Sequence, residues 1–138
     1  MILLLSHVQT PAGREVVEWA AQGLSGSSNT VESVDLDVVF AEATGLITRA
    51  PAVRELRERF RGADLVVYVG DQVIFADGGG VHLRQVSTWA EEAAVPVVAL
   101  APHIEISTRE LRTLGVEAGY GVSSPADVAA VVQTWLPA

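Results

Sequence analysis

Short runs of apolar residues alternate along this chain with longer stretches in which apolar residues recur at helical spacing. The apolar runs predict buried β-strands, and the amphipathic stretches predict helices that cover them. The predicted strands are 2–5, 30–36, 63–70, 95–101 and 116–122. The predicted helices are 11–24, 51–61, 81–94, 108–114 and 125–136. Such alternation is typical of a parallel sheet with helices packed against it.

The segment from Ala63 to Ala101 is the centre of this pattern. It contains a buried strand, a loop with three consecutive glycines, an amphipathic helix and a second buried strand, which together predict a βαβ unit. The right-handed crossover places the loop between Gly70 and His82 at the carboxyl edge of the sheet, where open α/β sheets bind ligands. The apolar side of the helix is predicted to comprise Leu83, Val86, Ala90 and Ala93, with Trp89 at its margin.

Capping residues mark three of the predicted helix starts. Thr10 and Ser124 each precede a proline, which suits the first helical position. Ser107 has Glu110 three residues later, the spacing of a capping box.

A chain of 138 residues is long enough to bury one core without disulfides or metals. We therefore predict a single domain over residues 1–138, a three-layer, doubly wound, Rossmann-like α/β domain. Its mainly parallel five-stranded sheet is expected to have the flavodoxin-like strand order 2-1-3-4-5. The stretch from Val38 to Arg49 has a mixed pattern, and there we expect a turn or two of helix.

The composition excludes several classes of chemistry. The chain has no cysteine and no lysine, which excludes thiolate metal sites, cysteine nucleophiles, a P-loop lysine and a Schiff-base lysine. The formal net charge of −8 opposes binding to nucleic acid and to anionic lipid. No apolar run reaches the roughly 18 residues of a membrane span, and the first residues lack a signal-peptide pattern. The expectation is a cytoplasmic protein with no nucleic-acid or membrane partner.

Histidines and carboxylates fall at the predicted carboxyl ends of neighbouring strands. His7 follows the first strand, His82 opens the helix after the third, and His103 follows the fourth. Together they could form a metal site or a proton-transfer site, or be ordinary loop side chains. The sequence assigns no metal and no cofactor. The candidate catalytic residues are His7, Asp71, Asp77, His82 and His103, with Glu105 in the same group of loops.

Gly78, Gly79 and Gly80 directly precede the predicted N-terminus of the central helix. Free backbone N–H groups and the helix dipole favour an anion there, and Arg84 in the first turn could bind it bidentately. The phosphate-binding spacings of dinucleotide and P-loop motifs are absent, and Asp77 adds a negative charge beside the glycines. The candidate ligand is a small anionic or phosphorylated molecule, and the alternative is a flexible glycine loop.

The central part of the chain contains ADLVVYVG, the glycine-bearing loop and helix that follow it, VPVVALA and then RELRTLGVEAGYGV. Through these stretches it resembles the C-terminal part of the bacterial glycerate kinase family. The resemblance covers Arg61 to Val122 and implies the end-carrying α/β domain of that family without its inserted domain. Gly70 and Ile74 stand where the family has acidic loop residues, and SHVQT lacks the family's lysine. We therefore expect a glycerate-kinase-like domain that has lost kinase activity and acts as a small-anion-binding or interaction module.

MILLLSH at the start of the chain is similar to the phosphocarrier IIA domains of the mannose-type sugar phosphotransferase system. In that family a histidine at the end of the first strand carries phosphate, and His7 holds that position. The resemblance implies a phosphohistidine carrier, or a small enzyme that uses the strand-end site with His7. A further hypothesis is a homodimer that pairs through a helix face bearing Trp19, Trp89 or Trp135.

Overall fold

The computed structural model describes residues 1–41, 51–74 and 80–137. Within this part of the chain, five parallel strands form the main sheet. The strands are β1 (Ile2–His7), β2 (Val31–Asp35), β3 (Leu65–Gly70), β5 (Val97–Ala101) and β7 (Ala118–Gly121). Numbered among themselves, these strands have the order 2-1-3-4-5, so the predicted topology is confirmed.

Helices cover both faces of this sheet. They are α1 (Pro11–Ser25), α2 (Leu36–Ala41), α3 (Pro51–Arg59), α4 (Val81–Ala93), α5 (Thr108–Thr113) and α6 (Pro125–Trp135). A 3₁₀ turn, Phe60–Gly62, continues α3. The predicted helix at the start of the mixed stretch is present as α2, and the rest of that stretch, residues 42–50, lies outside the described residues.

Two separate apolar cores explain why the central strands are continuously hydrophobic. In β1, Leu3 and Leu5 pack into one core, whereas Ile2 and Leu4 pack into the other. The core with Leu3 includes side chains of α2, α3, α4 and α5, and the core with Ile2 includes side chains of α1 and α6. A parallel strand buried on both faces has no polar side, and this is the reason for the run ILLL. The result is the predicted three-layer domain.

The predicted helix caps are all present. The Thr10 hydroxyl accepts a hydrogen bond from the Gly13 amide at 3.1 Å. Ser107 and Glu110 form a reciprocal capping box, and the Ser124 hydroxyl accepts from the Asp127 amide at 3.2 Å. Each cap satisfies an N–H group that the helix itself leaves without a partner.

The position of Trp89 was predicted wrongly. Its side chain is only 2% exposed and lies in the core, where its ring meets Phe60 edge-on at 5.8 Å between ring centroids. A wide apolar layer made by α2, α3 and α4 on this face of the sheet encloses the whole indole. Trp89 therefore cannot belong to an exposed dimer face, whereas Trp19 and Trp135 are half-buried and the homodimer hypothesis rests on them.

A second, two-stranded parallel sheet was not predicted. It consists of β4 (Gln72–Ile74) and β6 (His103–Glu105), and these strands follow β3 and β5 after a single residue each. Gln72 pairs with His103 and Ile74 with Glu105. Three residues provide too little alternation to identify a strand from sequence. The small sheet extends the domain beyond the carboxyl edge of the main sheet.

None of the helices in the described ranges is long and apolar enough to cross a membrane.

Candidate functional site

A histidine–aspartate pair lies at the carboxyl edge of the sheet. His7 is the last residue of β1, and its Nδ1 lies 2.7 Å from Oδ1 of Asp37, the second residue of α2. The two residues meet because β1 and β2 are neighbours, with Ser6 opposite Asp35 in the register. About a third of each side chain is exposed, 34% for His7 and 33% for Asp37, so solvent reaches the pair from one side.

Further hydrogen bonds fix the position of Asp37. The Gln9 side-chain amide donates to Asp37 Oδ2 at 3.0 Å, and the Asp37 backbone amide donates to the Asp35 carboxylate at 2.9 Å. An ionised carboxylate only accepts hydrogen bonds, so a neutral His7 carries its proton on Nδ1. The lone pair of His7 is then on Nε2, where it is available to a proton or an electrophile.

His82 joins this pair through ring stacking. Its ring lies 4.0 Å from that of His7 between centroids, at an interplanar angle of 20°. The ring of Phe40 contacts the stack at 4.8 Å from His82. Burial and the nearby charge of His7 lower the pKa of His82, against the opposing effect of the Asp37 carboxylate. The neutral form of His82 is therefore favoured near pH 7, because two stacked imidazolium rings would repel each other.

Asp71 binds the loop between β1 and α1. Its carboxylate accepts hydrogen bonds from the Thr10 hydroxyl at 2.6 Å, the Gln9 amide at 2.8 Å and the Thr10 amide at 3.1 Å. Burial raises the pKa of Asp71, but these bonds, first that from the Thr10 side chain, together with the charge of His7, outweigh burial and lower it. Asp71 thus holds Gln9, which in turn holds Asp37. Its contacts are those of a positioning residue.

His103 lies apart from this cluster in the described part of the chain. Its exposed ring pairs with Glu105 on the same strand, at 3.0 Å between Nε2 and Oε1. The predicted group of three histidines is therefore divided into the stacked pair and the separate His103–Glu105 pair. Asp77, Gly78 and Gly79 lie outside the described residues.

Gly80 and Arg84 lie at the start of α4, one on each side of His82 in the sequence. Gly80 is the N-cap residue and has φ 93° and ψ 157°, a conformation that is essentially restricted to glycine. The first turn of α4 contains no acidic residue. Arg84 is exposed, and the described residues form no ion pair with it. The stacked rings thus place this helix N-terminus beside His7.

Sequence reasoning missed Asp37 as a site residue. The signal was present, since Asp35 and Asp37 end the second strand and the predicted strand order places that strand beside the first. His7, Asp37 and His82 are brought together by three different elements, and their ligand atoms lie within 4.8 Å of one another. The cluster that results is the candidate functional site.

Neither a protein-family model nor a curated protein sequence matches the chain. Solved structures do match over nearly the whole length. The Megasphaera elsdenii flavodoxin has a TM-score of 0.59 at 9% identity, with 97% of this chain and 99% of that chain covered. A flavodoxin from Streptococcus pneumonia TIGR4 has a TM-score of 0.53 at 10% identity, covering 96% and 94%. An NAD(P)H:quinone oxidoreductase from Methanothermobacter marburgensis has a TM-score of 0.53 at 17% identity, covering 97% and 94%. At these identities the likeness is one of fold, and the chain has the flavodoxin-like fold.

Proposed function

We propose that this chain is a small-anion-binding module without glycerate kinase activity, and that its ligand binds beside His7 at the N-terminus of α4. The observation that carries the proposal is the 4.0 Å stack of His7 on His82, which joins the histidine site and the glycine-flanked helix start into one site. The sequence predicted these as two separate features.

The electrostatics of α4 favour a small anion. The helix has 13 residues, and its first N–H groups point towards the carboxyl edge, where the helix dipole is positive. Gly80 has no Cβ to obstruct a ligand, and no atom of the described residues lies within 4 Å of the position that a Cβ would take. An oxyanion can accept hydrogen bonds from such N–H groups, and the exposed Arg84 can supply a further charge-assisted bond.

The residues that replace the kinase motif support the loss of phosphoryl transfer to glycerate. Gly70 is buried and pairs with His7 in the sheet, and Ile74 is half-buried in β4. Neither can hold a magnesium ion or activate a hydroxyl, and the chain has no lysine to neutralise a nucleotide phosphate. We expect no phosphoglycerate from this protein with ATP and glycerate in a coupled assay.

The anion site is tested with inorganic phosphate. Phosphate should raise the melting temperature of the wild-type protein, and Arg84→Gln should weaken phosphate binding about tenfold, because one charge-assisted hydrogen bond is removed. Arg112→Gln is the matched control, since Arg112 donates to the Glu117 carbonyl at the other end of the sheet. Isothermal titration calorimetry measures the phosphate affinity of each variant, and a thermal-shift assay measures its melting temperature with and without phosphate. No response to phosphate, or equal losses in the two variants, would contradict the proposal.

A second candidate function is a phosphohistidine carrier, favoured by the Asp37–Nδ1 bond that leaves Nε2 of His7 as the nucleophile. A small phosphoryl donor such as phosphoramidate should then add one acid-labile phosphoryl group, seen by intact mass. His7→Gln should abolish the modification, and His103→Gln should retain it because His103 lies in the separate pair with Glu105. Modification that persists in His7→Gln would exclude this function.

A further inference from the structure

We propose that His7, Asp37 and His82 bind a divalent transition-metal ion at the carboxyl edge of the sheet. The three side chains come from the end of β1, the start of α2 and the start of α4, and each offers one ligand atom within 4.8 Å of the other two. From the sequence, a metal site among the three histidines was considered but not assigned, because polar residues collect at strand ends in every fold of this type, and Asp37 was not included. The inference rests on the proposed function for its place beside the anion site.

The ligand types select the class of metal. Two imidazole nitrogens and one carboxylate oxygen suit Zn²⁺, Fe²⁺, Co²⁺ or Ni²⁺ better than Mg²⁺ or Ca²⁺, which prefer oxygen ligands. Three protein ligands leave a coordination position open for water or another small molecule. An anion at the N-terminus of α4 can occupy that position. The metal then supplies positive charge to an edge of the sheet that contains the carboxylates of Asp35, Asp37 and Asp71.

The Asp37 carboxylate gives the cluster a negative charge, which favours a cation. Of the ion pairs that the described residues form, none joins an arginine to Asp37. Within the described residues, the Asp37 carboxylate therefore meets only hydrogen-bond donors and His7, and a divalent ion would compensate its charge.

Hydrogen bonds from outside the three ligands orient the carboxylate. Gln9 donates to Asp37 Oδ2, and Asp71 fixes the backbone of Gln9, so two further residues restrain the ligand. Such supporting bonds are typical of metal sites. Phe40 packs on His82 and closes the apolar side of the cluster.

Metal binding requires a small rearrangement of the rings. With metal–ligand distances of about 2.0–2.2 Å, ligand atoms of a tetrahedral site are roughly 3.4 Å apart. In the stack the imidazole planes are 20° from parallel, so their in-plane lone pairs do not converge on one point. To share one ion with Asp37, His7 would ligate through Nδ1, the nitrogen that faces Asp37, with its proton moved to Nε2. The half-buried His82 side chain would have to turn out of the stack to join them. Metal binding should therefore break the ring stack.

The test uses the full chain, stripped with a chelator, and Co²⁺ as the probe, without phosphate. We expect visible d–d absorption that saturates at one ion per chain and is displaced by Zn²⁺. His82→Phe keeps a ring in the stack and Asp37→Asn keeps an acceptor for His7, so both should fold, as circular dichroism will verify. Each should weaken Co²⁺ binding by at least about 100-fold, since even outer-shell changes at metal sites cost 10–100-fold.

His103→Ala is the matched control, because it removes a histidine and its carboxylate partnership outside the cluster. Its Co²⁺ affinity should equal that of the wild type. Any one of three results would overturn the metal site. The wild type could fail to bind Co²⁺ and Zn²⁺, His82→Phe and Asp37→Asn could keep the wild-type Co²⁺ affinity, or His103→Ala could lose Co²⁺ binding. If the metal site is overturned but the metal-free protein still binds phosphate, the anion-binding proposal stands. The metal proposal and the anion proposal can therefore fail separately.

Discussion

Replacing Trp89 with alanine is expected to lower the free energy of unfolding by about 3–5 kcal/mol, as for other fully buried aromatic side chains. The indole is 2% exposed, and its ring lies 5.8 Å from that of Phe60 and 6.2 Å from that of Phe40 between centroids. Alanine would leave a large apolar cavity between α3, α4 and the sheet, and the aromatic contacts would be lost as well. Chemical denaturation followed by circular dichroism measures the change.

Trp135→Ala is the matched control for this prediction. Trp135 is half-buried at the end of α6, and its indole donates a hydrogen bond to the Tyr120 hydroxyl at 2.9 Å. Part of its surface is already in contact with water, so we expect a smaller loss of stability than for Trp89→Ala. Equal losses in the two variants would show that Trp89 is less enclosed than the structure indicates.

The Trp89 variant also reports on the candidate site. Phe40 lies between Trp89 and His82, with ring centroids 6.2 Å from one and 4.8 Å from the other. Loss of the indole removes the support behind Phe40, and the His7–His82 stack should become less well ordered. Broader histidine ring signals in nuclear magnetic resonance spectra would reveal this effect at temperatures where the variant is still folded.

The sequence was sufficient to predict the fold because the strands that decide the topology are buried on both faces. Runs such as ILLL and LVVYVG are buried along their whole length, and in a parallel sheet such continuously apolar runs mark the inner strands. The helices between them have clear capping signals, at Thr10, Ser107 and Ser124. Once five strands alternate with helices, right-handed crossovers leave few arrangements of the sheet.

The candidate site was predicted only in part because it depends on lateral contacts. His7 and His82 were identified from their positions at strand and helix ends, yet their stacking depends on how α4 approaches β1. Asp37 belongs to a helix that begins directly after β2, and the helical turn, not the strand, brings its carboxylate to His7. A prediction based on strand ends alone gives the edge of the sheet but not the pairs that form there.

His103 shows the opposite case, in which a residue was correctly placed at an edge but not in the cluster. The chain continues after β5 as β6 and pairs with β4, so His103 is held on a small exposed sheet opposite Gln72. Two strands of three residues each contain no periodic signal long enough to recognise. β4 and β6 pair because the chain runs in the same direction after β3 as after β5. This parallel course is visible in the structure but not in either segment of the sequence alone.

Replacing Gly13 with alanine is expected to cost about 2 kcal/mol of stability, although alanine is the better helix former. Gly13 is buried in the first turn of α1, and a Cβ there would collide with Oδ1 of Asp71 and lie 3.0 Å from Val8 Cγ1. The Asp71 carboxylate would have to move, which breaks its hydrogen bonds to Gln9 and Thr10. Bonds to a charged acceptor are among the most costly to lose.

Gly23→Ala on the same helix is the matched control. A Cβ at Gly23 would lie 3.5 Å from Val132 Cγ2, an ordinary van der Waals contact, so the substitution should stabilise the protein by up to about 1 kcal/mol. The opposite signs of the two changes, measured by denaturation, separate the collision with Asp71 from any general effect of alanine in α1. In an Asp71→Ala background the cost of Gly13→Ala should largely disappear, because the obstructing carboxylate is gone. A cost that remains unchanged in that background would show that the Asp71 carboxylate is not the group that obstructs a Cβ at position 13.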